Sequence, residues 1–239
     1  MSSMTTTSPH GFKVAMLIYP GMTLLDMAGP QNLWGFHAQI FLVWEKPGAV
    51  ITDTGVSIRA SHGFDDCPTE VDILCVPGGF GTWDVLDNEA ALSFLRRIGG
   101  GARYVTSVCT GSIILAAAGL LEGYKATTHW STYPILEALG VEGVRARVIT
   151  DRNRITGGGV TAGIDFGLAV LAELVGEDAA KTTQLMLEYD PAPPFDAGSP
   201  ERAGEEMTTA VMSLLQDDLS QKALPAVQGV LRRRQTTIA

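Results

Sequence analysis

The 239-residue sequence predicts an α/β domain built around a mainly parallel sheet. Two observations carry this. Phe12 to Tyr19 (FKVAMLIY), Asp72 to Val76 (DILCV) and Arg103 to Val108 (RYVTSV) are short runs rich in apolar and β-branched residues, as strands buried on both faces require. The first two end in Pro-Gly signals, and all three precede stretches with helical apolar spacing, so strands and helices alternate along the chain.

Taken in order, the Phe12 to Tyr19 strand closes at Pro20-Gly21, and Thr23 to Trp34 follows as a helix that Gly29-Pro30 is expected to break or kink. Gln39 to Glu45 is a second strand, and Val50 to Phe64 holds short β pieces suited to a ribbon or sheet edge. After Asp72 to Val76 and Pro77-Gly78-Gly79, the spacing predicts a helix over Glu89 to Ile98. The strand Arg103 to Val108 runs into Thr110 to Leu121, whose small apolar residues suit a helix packed tightly on a sheet. Thr132 to Leu139 is a further helix, Arg147 to Thr150 and Arg154 to Thr156 form a hairpin, and Thr161 to Leu174 is a long apolar helix.

Four prolines in DPAPPFDAGSP (Asp190 to Pro200) predict an extended surface crossing. Helical segments, Glu201 to Gln216 and a weaker one to Gly229, come next, with too few strands for a second core. The expected organisation is a floppy leader over residues 1–11, an α/β domain over 12–215 and a helical tail over 216–239. Arg232-Arg233-Arg234 reads as solvated tail.

Composition removes several function classes. Apolar residues make up 46% and charged residues 18%, a globular balance. A net charge of −9 repels phosphate backbones and anionic lipids, so neither nucleic acid nor membrane is an expected partner. There is no 18-residue apolar run, and the Ser/Thr-rich start lacks a signal-peptide core, which reads as a cytoplasmic protein. No zinc, nucleotide-hydrolysis or early dinucleotide-binding motif is present; Gly157 to Ala162 satisfies G-x-G-x-x-A only late in the chain.

Three cysteines without a C-x-x-C pair suggest neither disulfides nor zinc. Cys75 lies inside an apolar strand and Cys67 in an Asp-Asp-Cys-Pro loop, both structural positions. Cys109 differs: Ser107-Val108-Cys109-Thr110-Gly111 joins a buried strand to a helix, as a nucleophile elbow does. Lone cysteines are most often small buried hydrophobes. Here the helix N-terminus is expected to lower the thiol pKa and hold a thiolate. Asp26, flanked by apolar residues after the first strand, is the candidate proton donor or base; the alternative is a carboxylate favoured by its helix dipole. Gly78 and Gly79 offer backbone N–H groups to a reacting anion, or simply make a tight turn. His129 pairs with the thiolate or holds a backbone carbonyl.

Ala102 to Leu121 (ARYVTSVCTGSIILAAAGLL), Ala126 to Trp130 (ATTHW), Thr156 to Phe166 (TGGGVTAGIDF) and Leu187 to Pro200 together resemble the isocyanide hydratases of the PfpI-like superfamily, relatives of the class I glutamine amidotransferase domain. The resemblance spans about residues 12 to 215. It implies a flavodoxin-like three-layer sandwich and a homodimeric, cofactor-free enzyme that adds water to an isocyanide to give an N-substituted formamide. Cys109 then matches the nucleophile, Asp26 the acid/base carboxylate, and Thr110 a pocket residue where other members carry histidine. Gly78 and Gly79 match backbone donors. Val160 stands where the resemblance implies a larger branched residue packing near the cysteine-bearing helix. Rival expectations are another PfpI-like thiol hydrolase or glyoxalase, the sensor half of an AraC-type regulator, and a redox sensor or chaperone using an oxidisable Cys109.

Overall fold

The structure is a computed structural model that describes residues 11–238. Of the leader expected over residues 1–11, residues 1–10 lie outside the described residues. The elements are β1 Phe12–Leu17, α1 Leu24–Trp34, β2 Ala38–Val43, β3 Gly48–Ile51, β4 Ser57–Ala60, β5 Ile73–Val76, α2 Thr82–Asp87, α3 Glu89–Gly101, β6 Tyr104–Val108 and α4 Gly111–Ala117. There follow β7 Lys125–Ala126, α5 Tyr133–Ala138, β8 Glu142–Gly143, β9 Val148–Asp151, β10 Arg154–Gly157, α6 Ala162–Val175, α7 Glu177–Met186, α8 Pro200–Ala203, α9 Glu205–Asp218 and α10 Leu224–Ile238.

Six strands form the central sheet in the order β2-β1-β5-β6-β10-β9, parallel throughout except for the β9–β10 edge hairpin. This is the flavodoxin-like order, and the order in which strands are added reverses between β1 and β5. Ligands in such sheets bind outside the carboxyl ends of the strands at that reversal. All four residues of β5 are buried, as are Val14 to Leu17 of β1, because helices cover both faces. One helical layer groups α1, α6 and α7; the other groups α2, α3, α4 and α5, with α10 added against α2. The predicted ribbon between Val50 and Phe64 is β3 paired antiparallel with β4.

Two local expectations change. Helix α1 runs unbroken through Pro30, which sits one turn beyond Asp26 and so leaves the Asp26 carbonyl without an α-helical N–H. The lost bond is compensated by packing: the Trp34 indole donates to the Gly167 carbonyl at 2.9 Å and meets Phe166 edge-on, fixing α1 to α6. The arginine triplet is not a solvated tail. Arg233 donates to the Leu86 carbonyl at 2.6 Å, and Arg234 donates to the carbonyls of Ala116 and Leu139, at 2.5 and 3.0 Å. Ala223, Ala226, Val227 and Val230 join the hydrophobic core, so α10 packs as part of the fold. The helical run from α9 to α10 is continuous through a π turn at Leu219–Ala223.

Candidate active site

Three loops meet at the carboxyl end of the sheet, one each after β1, β5 and β6. The loop after β6 is the elbow. Cys109 adopts φ 57, a left-handed conformation costing a non-glycine residue about 1–3 kcal/mol, and surrounding bonds hold it there. Its N–H is shared between the carbonyls of Gly157 and Gly158, at 3.0 and 2.8 Å. Its carbonyl accepts the Ser112 and Thr128 hydroxyls, at 3.0 and 3.2 Å. The late glycine run thus braces the elbow. At Gly111 a Cβ would stand 2.1 Å from the Val76 carbonyl oxygen, so α4 can begin this close to β5 only with glycine there.

The loop after β1 delivers Asp26 in the first turn of α1, fully buried. Its Oδ2 accepts the Gly78 N–H at 2.8 Å, while Oδ1 has no hydrogen-bonding N–H or O–H of its own. Burial pushes the carboxyl up to about 7, although the Gly78 N–H and a hydrogen bond to the Cys109 thiol both pull it down. The carboxyl and the thiol therefore titrate as a coupled pair.

The expected direction of the thiol shift is reversed. Burial, and then the neighbouring Asp26 charge, push the Cys109 thiol well above its ordinary value. The opposing contributions come from the backbone N–H groups of Thr110 and Val160 and from the Thr110 side chain. Helix α4 has only seven residues, and its dipole does not outweigh the loss of water around a sulfur only 5% exposed. At rest the sulfur is therefore a thiol, and the Asp26 carboxyl is the first of the pair to ionise.

In this structure both glycine N–H groups already have partners within the protein. The Gly78 N–H is taken by Asp26, and the Gly79 N–H donates to Thr110 Oγ1 at 3.0 Å. Gly79 has φ 137, and a Cβ there would meet the Thr23 nitrogen at 2.4 Å, so this position admits only glycine. Thr110 Oγ1 also lies 2.7 Å from Thr82 Oγ1, which lies 3.2 Å from the Tyr19 hydroxyl, itself donating to the Pro77 carbonyl at 2.9 Å. This buried hydroxyl chain fixes the loop after β5 against the elbow. The N–H groups that do reach the sulfur belong to Thr110 and Val160.

Cys109, Thr110, Gly79 and Val160 line one cavity of about 140 Å³, and Gly78 does not reach it. His129 lines it too, with Nδ1 accepting the Ser131 N–H at 3.4 Å; burial lowers its pKa and favours the neutral ring. Among the described residues no hydrogen bond joins His129 to Cys109. The opposite wall comes from Trp83 of α2 and from Leu215, Asp218 and Leu219 at the end of α9 and the start of the π turn. Sequence reasoning missed this wall, because its signal lies only in three-dimensional proximity across more than a hundred residues. Among the described residues no cluster of three or more His, Cys, Asp or Glu side chains is arranged to hold a metal ion.

The DJ-1/PfpI family profile matches residues 12–173, which contain both Asp26 and the elbow. The chain belongs to the DJ-1/PfpI family. Among relatives of this family member, the isonitrile hydratase of Pseudomonas putida is 44% identical over 218 residues, covering 90% of this chain and 92% of that protein. The crystal structure of a ThiJ/PfpI family protein from Pseudomonas syringae superposes with a TM-score of 0.89 at 43% identity, covering 95% of this chain and 96% of that one. Schizosaccharomyces pombe DJ-1, at 20% identity and a TM-score of 0.66, shares the fold over 75% of this chain and all of its own.

Proposed function

We propose that this DJ-1/PfpI family member is an isocyanide hydratase with Cys109 as nucleophile and Asp26 as acid/base. The observation that carries the reading is the pairing of a fully buried carboxylate, one oxygen tied to the Gly78 N–H, with a strained cysteine facing a cavity. The likeness to the Pseudomonas putida isonitrile hydratase over nine-tenths of the chain supports the substrate class.

The isocyanide carbon bears a lone pair and accepts a nucleophile. The Asp26 carboxylate takes the thiol proton as sulfur bonds to that carbon, then delivers the proton to the same carbon, giving the thioimidate R–N=CH–S. The Thr110 and Val160 N–H groups hold the charge that develops on sulfur. Asp26 next takes a proton from water as its oxygen attacks carbon and passes that proton to nitrogen. Collapse of R–NH–CH(OH)–S expels the sulfur, which recovers the hydroxyl proton, and releases R–NH–CHO. The sum is R–NC plus water, with no redox equivalent consumed.

A homodimer is part of this reading. It is supported by α9, which buries none of its own residues and exposes Met207, Val211 and Leu214 at helical spacing along the element. No helix among the described residues is long and apolar enough to cross a membrane.

The test is incubation with para-nitrophenyl isocyanide and, separately, with methylglyoxal. Formamide production from the first without turnover of the second is the expected outcome; turnover of the aldehyde alone assigns the site to a glyoxalase.

A further inference from the structure

The cavity has two walls of different origin. The reactive wall, Cys109, Thr110, Gly79 and Val160, lies within the residues that match the DJ-1/PfpI family. The facing wall, Leu215, Asp218 and Leu219, lies beyond residue 173, outside that match. Trp83 and the rest of the lining also lie within the match, so these three side chains are the part of the cavity border that the shared fold does not supply.

Several features mark this wall as built rather than incidental. The Trp83 indole donates to Asp218 Oδ2 at 2.6 Å, tying the end of α9 to α2. Lys222 stands 3.8 Å from Asp218 Oδ1, one turn on. There the helix widens into the π turn Leu219–Ala223, a feature frequently found at functional sites. Leu215 and Leu219, four residues apart, share one helix face on the cavity, with Asp218 beside them.

We infer that Leu215, Asp218 and Leu219 determine which isocyanides enter: those with an uncharged, largely apolar N-substituent of no more than one aromatic ring, para-nitrophenyl included, with anionic substituents refused. This rests on the hydratase reading and names its substrate class. The size limit follows from the cavity volume of about 140 Å³, since an apolar cavity of about 150 Å³ accommodates benzene. Apolar preference follows from the two leucines and Trp83. Refusal of anions follows from the Asp218 carboxylate, which lines the cavity while its Lys222 partner does not, so an entering anion meets the negative member of the pair.

Asp218→Asn removes the charge while leaving an oxygen to accept the Trp83 indole. The discriminating quantity is the ratio of kcat/KM for 4-isocyanobenzoate to that for phenyl isocyanide, measured in the unaltered protein and in Asp218→Asn. A rise of at least fivefold in the variant is expected. For size, Leu215→Ala and Leu219→Ala are expected to raise the kcat/KM ratio of 1-naphthyl to phenyl isocyanide by a similar factor.

A parallel measurement does not depend on turnover: the rate of Cys109 alkylation by iodoacetate relative to iodoacetamide, read by mass spectrometry of the cysteine-bearing peptide. Any change in thiol reactivity cancels in that ratio, and Asp218→Asn is expected to raise it at least fivefold. An unchanged alkylation ratio overturns the inference about the wall whether or not formamide forms. A raised alkylation ratio with no isocyanide turned over by the unaltered protein overturns the hydratase reading and leaves the charge filter standing.

Discussion

Cys75 and Cys109 end up in neighbouring parts of one sheet, both free and both buried, and only Cys109 lines the cavity. Cys75 sits mid-strand in β5, paired in register with Met16 on one side and Thr106 on the other. Its thiol has no exposure, and burial pushes it up to about 12. Cys109 lies one residue beyond the end of β6, where the chain turns into α4 with a left-handed backbone and the sulfur opens onto a cavity. Burial raises both thiols. What separates them is the backbone: at the elbow, N–H groups approach the sulfur and a carboxylate stands ready to take its proton, whereas in the strand the N–H groups are spent on the ladder. On the proposed reading, thiol reactivity here rests on a proton acceptor and an open face, and a resting thiolate is not required.

The largest contrast comes from removing each sulfur. Cys109→Ala is expected to lower formamide production about 10³-fold or more, with an unchanged far-ultraviolet circular dichroism spectrum. An active Cys109→Ala protein would end the mechanism. Next in size is Asp26→Asn, which removes the base but leaves an oxygen for the Gly78 N–H; kcat/KM is expected to fall about 10²- to 10⁴-fold.

The same substitution acts on stability in the opposite direction. The Asp26 carboxyl is raised to about 7 in the folded chain, above its ordinary 3.8. Its favourable contribution is thus complete below about pH 4 and lost as pH climbs through 7. Asp26→Asn should stabilise the protein by up to about 4 kcal/mol at pH 8 and by much less at pH 4, checked by urea titration at both values.

The intact site should show kcat/KM rising about tenfold per pH unit until it levels near 7, as the pair loses its first proton. A flat profile between pH 5 and 8 would remove Asp26 from the rate-determining proton transfer. The smallest effect belongs to the strand cysteine. Cys75→Ala is expected to cost about 1–2 kcal/mol through lost packing and to leave kcat/KM within twofold, by urea unfolding and steady-state kinetics.

The sheet and its reactive end were legible because their signals are local. Val14 to Leu17 and Ile73 to Val76 are apolar runs that only a doubly covered strand explains, and Ser107 to Gly111 reads as an elbow from five consecutive residues. Helix α7, by contrast, is polar and buries only Ala180 and Thr183, so no apolar periodicity announces it. Helix α2 is too short to show a period, and β7 and β8 are two residues each. At the site, the identity of Asp26 and Cys109 was readable but not the sign of the thiol shift, which depends on how completely other elements exclude water. Nor was it readable that Gly78 and Gly79 spend their N–H groups on Asp26 and Thr110, or that Leu215 and Asp218 face a cysteine more than a hundred residues earlier.

The helical run from α9 to α10 touches the catalytic region twice. Near Leu219 it borders the cavity, and at Arg234 its guanidinium grips the Ala116 carbonyl at the far end of α4, whose near end is the elbow. One continuous helical run thus supplies both a border of the pocket and an anchor for the helix that starts behind the sulfur.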